Sequence, residues 1–145
     1  PIEQRVKMFE NEDYAAKTMD EEVTGEYFTA NGERVRSKSE IIIADHLRRY
    51  GVVYKYEKPL ELTVHGRRVT FYPDFTDMNS RTGRIYYLEH FGMDNEDYYN
   101  AVLRKLDAFE MNQLLIGRDV LLLHESSSAP LNTRVLDCYI QEYLV

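Results

Sequence analysis

Two short apolar, aromatic runs constrain this chain more than anything else in it. They are Tyr72-Pro73-Asp74-Phe75-Thr76 and Tyr87-Leu88-Glu89-His90-Phe91-Gly92, and Glu89 follows Asp74 by fifteen residues. Runs of this kind form half-buried strands. Between them lies Asp77-Met78-Asn79-Ser80-Arg81-Thr82-Gly83, rich in turn formers. The two strands, expected over 69–75 and 84–91, should therefore pair as an antiparallel hairpin. That pairing brings Asp74 and Glu89 together near one end of a sheet. Two ionised carboxylates about 4 Å apart repel by about 4 kcal/mol at an effective dielectric near 20. A fold that keeps such a pair needs a cation between them or a proton on one of them.

A chain of 145 residues is long enough for one domain with a real core. No apolar run reaches the length needed to cross a bilayer, and there is no secretory signal pattern. The lone Cys138 excludes an internal disulfide framework and points to the cytoplasm. Its apolar neighbours make it a small core hydrophobe by this reading. Because the chain starts at Pro1, it is expected to be a piece of a longer polypeptide. The net charge of −7 argues against a large basic surface for gripping phosphates. Acids gathered in a site count toward that total, and a bound metal offsets them.

Residues 1–30 read as a polar arm, short-helical or irregular, with acidic clusters at Glu10-Asn11-Glu12-Asp13 and Asp20-Glu21-Glu22. The turn signal Asn31-Gly32 opens a single domain over 31–145. Ser37 or Ser39 can cap a helix that runs to Tyr50 and ends at Gly51. Its inward stripe is Ile43, Ala44 and Leu47, and Glu40 falls on the same stripe. Glu40 also suits the helix dipole as an ordinary first-turn acid. Residues 52–64 read as strand, broken or placed at an edge by Pro59, with a hairpin turn at His65-Gly66. A long helix is expected over 95–115, with Tyr98, Val102, Leu106 and Phe109 on one side and Gly117 as its stop. An apolar strand at 120–124 and a last amphipathic helix over 132–144 complete the chain. The result is a mixed α/β (α+β) architecture, αβββαβ, with helices flanking a mixed sheet.

Three acids then matter together: Glu40 on the inward face of the first helix, Asp74 at a strand end, and Glu89 in the next strand. Strand alternation puts Glu89 on one face with Ile85, Tyr87 and Phe91, and His90 on the other, where it reads as a hydrogen-bonded strand histidine. Carboxylate-only ligation suits Mg²⁺ or Mn²⁺, and its common use is phosphodiester hydrolysis. At Gly32-Glu33-Arg34-Val35-Arg36-Ser37-Lys38-Ser39-Glu40, Tyr54-Lys55-Tyr56-Glu57-Lys58-Pro59-Leu60, Tyr72-Pro73-Asp74-Phe75-Thr76 and Leu88-Glu89-His90-Phe91-Gly92 the chain resembles the PD-(D/E)XK nuclease superfamily. The resemblance runs from Gly32 to Val145. It implies a restriction-endonuclease-like core, metal-dependent cleavage of nucleic acid, with DNA as partner, and Glu40, Asp74 and Glu89 as ligands of Mg²⁺ or Mn²⁺.

One position departs from the family pattern. The lysine expected two residues after the strand acid is Phe91 here. Such a lysine orients the attacking water and offsets transition-state charge. Lys105 on the long helix is the leading replacement, Lys38 the second and His90 the third; a solvated helix lysine beside Arg104 is the plain alternative for Lys105. Glu57 could support the site from behind the metal ligands but reads better as a cross-strand partner of Lys55 or Lys58, and Gln113 as a surface or capping residue. Most of the twelve tyrosines sit where core packing explains them. The acidic charge and Phe91 also support an alternative, a nuclease-like fold that no longer cuts and serves as a binding or assembly module.

Overall fold

The computed structural model of the chain describes residues 1–19, 25–92 and 95–145. The acidic triplet Asp20-Glu21-Glu22 and the Met93-Asp94 step into the long helix lie outside the described residues. The chain starts with helix α1 (Ile2–Asn11), which seats Phe9 and ties Arg5 Nη2 to Gly83 O at 2.8 Å. A two-residue ribbon, β1 (Tyr27–Phe28) with β2 (Arg34–Val35), leads into α2 (Lys38–Arg49). Ser37 is the cap of α2, its hydroxyl accepting from Glu40 N–H at 3.2 Å, and the buried face is Glu40, Ile43, Ala44 and Leu47. The expected stripe and stop are therefore observed, with Gly51 at φ +75° just past the end.

Four strands make the central sheet in the order β3 (Val53–Tyr56), β6 (Phe75–Met78), β7 (Ile85–Phe91), β8 (Val120–His124). The first three pair antiparallel, and β7 with β8 is parallel, so the sheet is mixed. Helix α3 (Glu96–Met111) makes the crossover. On one face α2 and the final helix α4 (Thr133–Tyr139) cover Phe75, Leu88, Leu121 and Leu123. On the other, α3 covers Tyr87, Val120 and Leu122 through Ala108 and Phe109. Alternate residues of β7 and β8 thus serve opposite cores, and each fully buried Leu or Phe contributes roughly 1.5–3 kcal/mol.

The strand expected over 69–75 is divided. β4 (Leu60–Val64) and β5 (Arg67–Phe71) form a separate hairpin, turned by His65 at φ +49° and Gly66 at φ +78°. Two consecutive positive φ angles suit the twist of a two-residue turn. Pro73 has no amide hydrogen for a ladder, and Asp74 lies in a bend, so the sheet resumes only at Phe75. The expected turn also shifts. Asp77 and Met78 belong to β6, opposite Tyr86 and Ile85, and the turn occupies 79–84. Asn79 organises it, its Oδ1 accepting from Arg81 N–H (2.9 Å) and Thr82 N–H (3.2 Å).

Two further expectations need correction. α3 stops at Met111, before 115, because Asn112 turns its side chain to Thr63 and Ala108 O and Gln113 adopts φ +59°. Gln113 is exposed just past the C-cap Asn112, the surface position that was one of its two expected roles. Cys138 is exposed, since the inward positions of this last helical stretch are Leu136, Ile140 and Leu144. Among the described residues no helix is long and apolar enough to cross a membrane.

Candidate active site

The β6–β7 ladder ends at Phe75 opposite Leu88, one residue short of Asp74 and Glu89. Two strand amides beyond that point need acceptors. Each acid supplies one: His90 N–H donates to Asp74 Oδ2 at 2.7 Å, and Asp74 N–H donates to Glu89 Oε2 at 3.1 Å. The two carboxylates are held side by side by the backbone they terminate. Glu89 is 1% exposed, whereas the Asp74 side chain is 20% exposed, so the pair opens toward solvent on the Asp74 side.

Lys105 answers the repulsion. It lies four residues before Phe109 and seven after Tyr98, on the inward face of α3. Its ammonium is 2.6 Å from Glu89 Oε1 and 3.8 Å from Asp74 Oδ1. The first is a direct ion pair to a buried oxygen. Burial and then Asp74 push the Glu89 carboxyl well above its usual range, with Lys105 acting against them. For Lys105, burial disfavours the charge, but Asp74 and Glu89 outweigh it and the ammonium is held above its ordinary value. Lys38, the second candidate, is exposed on the first turn of α2 and pairs with no acid among the described residues. His90, the third, faces away from Lys105: its Nε2 is 2.7 Å from Glu125 Oε1, which also accepts from Ser39 Oγ. The strand histidine is thus bonded on the opposite face, as the alternation requires. Gly92 is needed beside that ring, because a Cβ there would sit 2.8 Å from His90 Cε1.

Glu40 reaches the same end of the sheet from α2. It is buried, its Oε1 accepting from Arg36 N–H at 2.8 Å and from Tyr56 O–H at 2.9 Å. Burial first and the Asp74 charge second raise its pKa to about 7. Asp74 and Glu89 meet Lys105 directly, while Glu40 stands by its own donors. Among the described residues no group of three His, Cys, Asp or Glu side chains lies close enough to hold a metal ion as placed.

Glu57 does not take the expected cross-strand pairing. It is buried rather than paired with Lys55 or Lys58, and Arg36 grips it through Nε (2.8 Å) and Nη2 (3.0 Å). Its backbone sits at φ +47°, and its N–H donates to Asp74 O at 3.0 Å. Arg36 therefore ties two acids, binding Glu40 with its amide and Glu57 with its guanidinium. The Glu-Lys-Pro break in the strand was the only signal, and it marks an irregular backbone rather than a buried ion pair.

No protein-family model matches the chain, and no curated protein matches it in sequence.

Proposed function

We propose that this chain is a metal-dependent nuclease domain, hydrolysing phosphodiester bonds of DNA on a restriction-endonuclease-like core of the PD-(D/E)XK type. The observation that carries the reading is the meeting of Asp74, Glu89 and Lys105 at the open end of β6 and β7, with the ammonium 2.6 and 3.8 Å from the two carboxylates. Lys105 supplies from a helix the charge that Phe91 cannot supply from the strand. Glu40, Asp74 and Glu89 would hold Mg²⁺ or Mn²⁺. The donor set fits such an ion in its chemistry, being all oxygen, with the Glu40 and Glu89 carboxylates buried. The bound ion supplies Lewis acidity and a more acidic water. The chain's own residues do the rest: His90 N–H, Tyr56 O–H and Arg36 N–H fix the carboxylates, and Lys105 stands beside the acids to offset charge on the phosphate.

A second reading is a nuclease-like module that no longer cuts and acts in binding or assembly within a larger polypeptide. The separation of Glu40 from the Asp74–Glu89 pair, with Lys105 already neutralising Glu89, favours it. Calorimetry with Mn²⁺ and Mg²⁺ on the wild type, Asp74→Ala and Glu89→Ala, followed by cleavage assays on duplex, single-stranded and branched DNA, separates the two. The nuclease reading expects binding that both substitutions abolish, and cleavage that Asp74→Ala abolishes. Binding without cleavage of any substrate favours the assembly module. Cleavage undiminished by Asp74→Ala sinks the site.

A further inference from the structure

The sheet face that carries Glu89 is only partly covered. α3 packs on Tyr87 and β8 through Phe109, and α1 lies against β3, where Lys55 Nζ donates to Glu10 O at 2.6 Å. Between the two helices a groove of about 560 Å³ stays open. Thr76 and Met78 of β6 stand opposite Tyr87 and Ile85 of β7, and these four side chains line it from the sheet. The exposed Met8 and the buried Phe9 line it from α1. On the α3 side the Tyr87 ring leans on Phe109, with centroids 5.6 Å apart. Three charged side chains also line the groove, and each is engaged: Arg5 with Gly83 O, and Glu12 with Lys58. What remains is an apolar slot with two hydroxyls, those of Thr76 and Tyr87. An apolar lining of a few hundred Å³ with few polar groups is the make-up of a small-molecule site.

The groove leads to the acids. Tyr87 and Glu89 share a face of β7, two residues and roughly 6.6 Å apart along the strand. Lys105 reaches Glu89 and Asp74 from the helix on that same face. We infer that this groove is a nucleobase subsite, holding the base of an unpaired nucleotide whose phosphate lies at Asp74 and Glu89. The inference rests on the nuclease reading for the phosphate, and it narrows the substrate to DNA with an unpaired nucleotide at the point of attack. A flat, uncharged ring suits an apolar slot whose charges are already engaged, with the Met8 sulfur and the Tyr87 ring for its faces and the two hydroxyls for its polar edge. A nucleoside covers the step from groove to acids, because its sugar separates the base from the phosphate. A base inside a duplex is stacked and paired, so it enters such a slot only when extruded.

Methyl NMR signals of Met8 and Met78 report on the groove, and Met111, the last residue of α3, is the control. A mononucleotide has no phosphodiester bond, so deoxyadenosine 5′-monophosphate can be titrated with Mg²⁺ present and no turnover. The titration is repeated in EDTA, and with deoxyribose 5-phosphate, which lacks the base. The subsite predicts saturable shifts of Met8 and Met78, but not of Met111, with the nucleotide, and none with the sugar phosphate. Tyr87→Leu should weaken that binding at least about fivefold through the lost stacking. Met8→Ala, at an exposed position that leaves the core intact, should weaken it too. No shift, equal shifts with the sugar phosphate, or an affinity unchanged in both variants overturns the subsite. The Mg²⁺ arm reports on the nuclease reading separately. Base-dependent shifts that ignore Mg²⁺ keep the subsite and count against a metal-held phosphate, whereas DNA cleavage without these shifts keeps the nuclease and removes the subsite.

Discussion

Glu40 gives the sharpest test of the buried acids, because its carboxyl is raised from 4.5 to about 7 in the folded chain. A tenfold change in an ionisation constant corresponds to about 1.4 kcal/mol, so ionising Glu40 inside the fold costs roughly 3 kcal/mol relative to ionising it in the unfolded chain. Below pH 4.5 the acid is protonated in both states and no penalty applies. As pH rises from 4.5 toward 7 the unfolded chain loses this proton and the folded chain keeps it, so stability falls. Above 7 the loss is complete. Glu40→Gln mimics the protonated form at every pH, and its amide oxygen can accept from both Arg36 N–H and Tyr56 O–H.

The two proteins should therefore be about equally stable at acid pH, and the variant should be more stable by about 3 kcal/mol near pH 8. Urea unfolding followed by far-ultraviolet circular dichroism is the assay, because the chain has no tryptophan. Chelator keeps divalent ions out of the comparison. Asp77 and Glu89 are also raised by burial and add to the pH dependence of both proteins. The difference between the two curves isolates Glu40. A difference that stays constant between pH 4.5 and about 8 would refute the idea that burial and Asp74 hold this carboxyl neutral.

Two more perturbations probe the same region. Asp77 is fully buried in β6 with neither oxygen hydrogen-bonded, and burial raises its pKa well above 3.8. Asp77→Asn should be the more stable protein at neutral pH by an amount that grows as pH rises; a pH-independent difference in urea midpoint would sink this. Lys105→Met keeps much of the side-chain volume and strips Glu89 of its cation, which should cost roughly 3–5 kcal/mol at alkaline pH. The cost should shrink at acid pH, where Glu89 takes a proton, and a loss equal at both extremes would show that packing, not charge, is what Lys105 provides.

The sequence made some of this visible and hid the rest for physical reasons. The alternation around Glu89 correctly separates it from His90, and the helical spacing that puts Tyr98 and Phe109 inward also places Lys105 there. Local periodicity suffices where each residue's face is set by its own element. It fails at Asp77, where Asp-Met-Asn-Ser reads as a turn, yet the cross-strand partner Tyr86 draws the first two residues into the sheet. Glu57 fails similarly: its buried bond to Arg36 spans twenty-one residues and rests on a left-handed backbone that no neighbour signals. The end of α3 depends on Asn112 reaching a hairpin forty-nine residues earlier.

What unites the legible and hidden parts is charge. Glu57 and Arg36 cancel, but among the described residues Asp74 and Glu89 share Lys105 and Glu40 has no paired cation, so three carboxylates against one ammonium leave two negative charges if all are ionised. Water can screen Asp74, but it reaches the two buried acids poorly. Protons are one remedy, and the raised pKa values of Glu40 and Glu89 express it. A divalent cation is the other, and its charge equals the deficit. The two remedies compete for the same oxygens, so a bound cation should pull the Glu40 proton off and recover the stability that ionisation costs. Mn²⁺ should accordingly flatten the fall in stability between pH 4.5 and 7 that distinguishes the wild type from Glu40→Gln. If the metal leaves that fall unchanged, then the excess negative charge belongs to the fold alone.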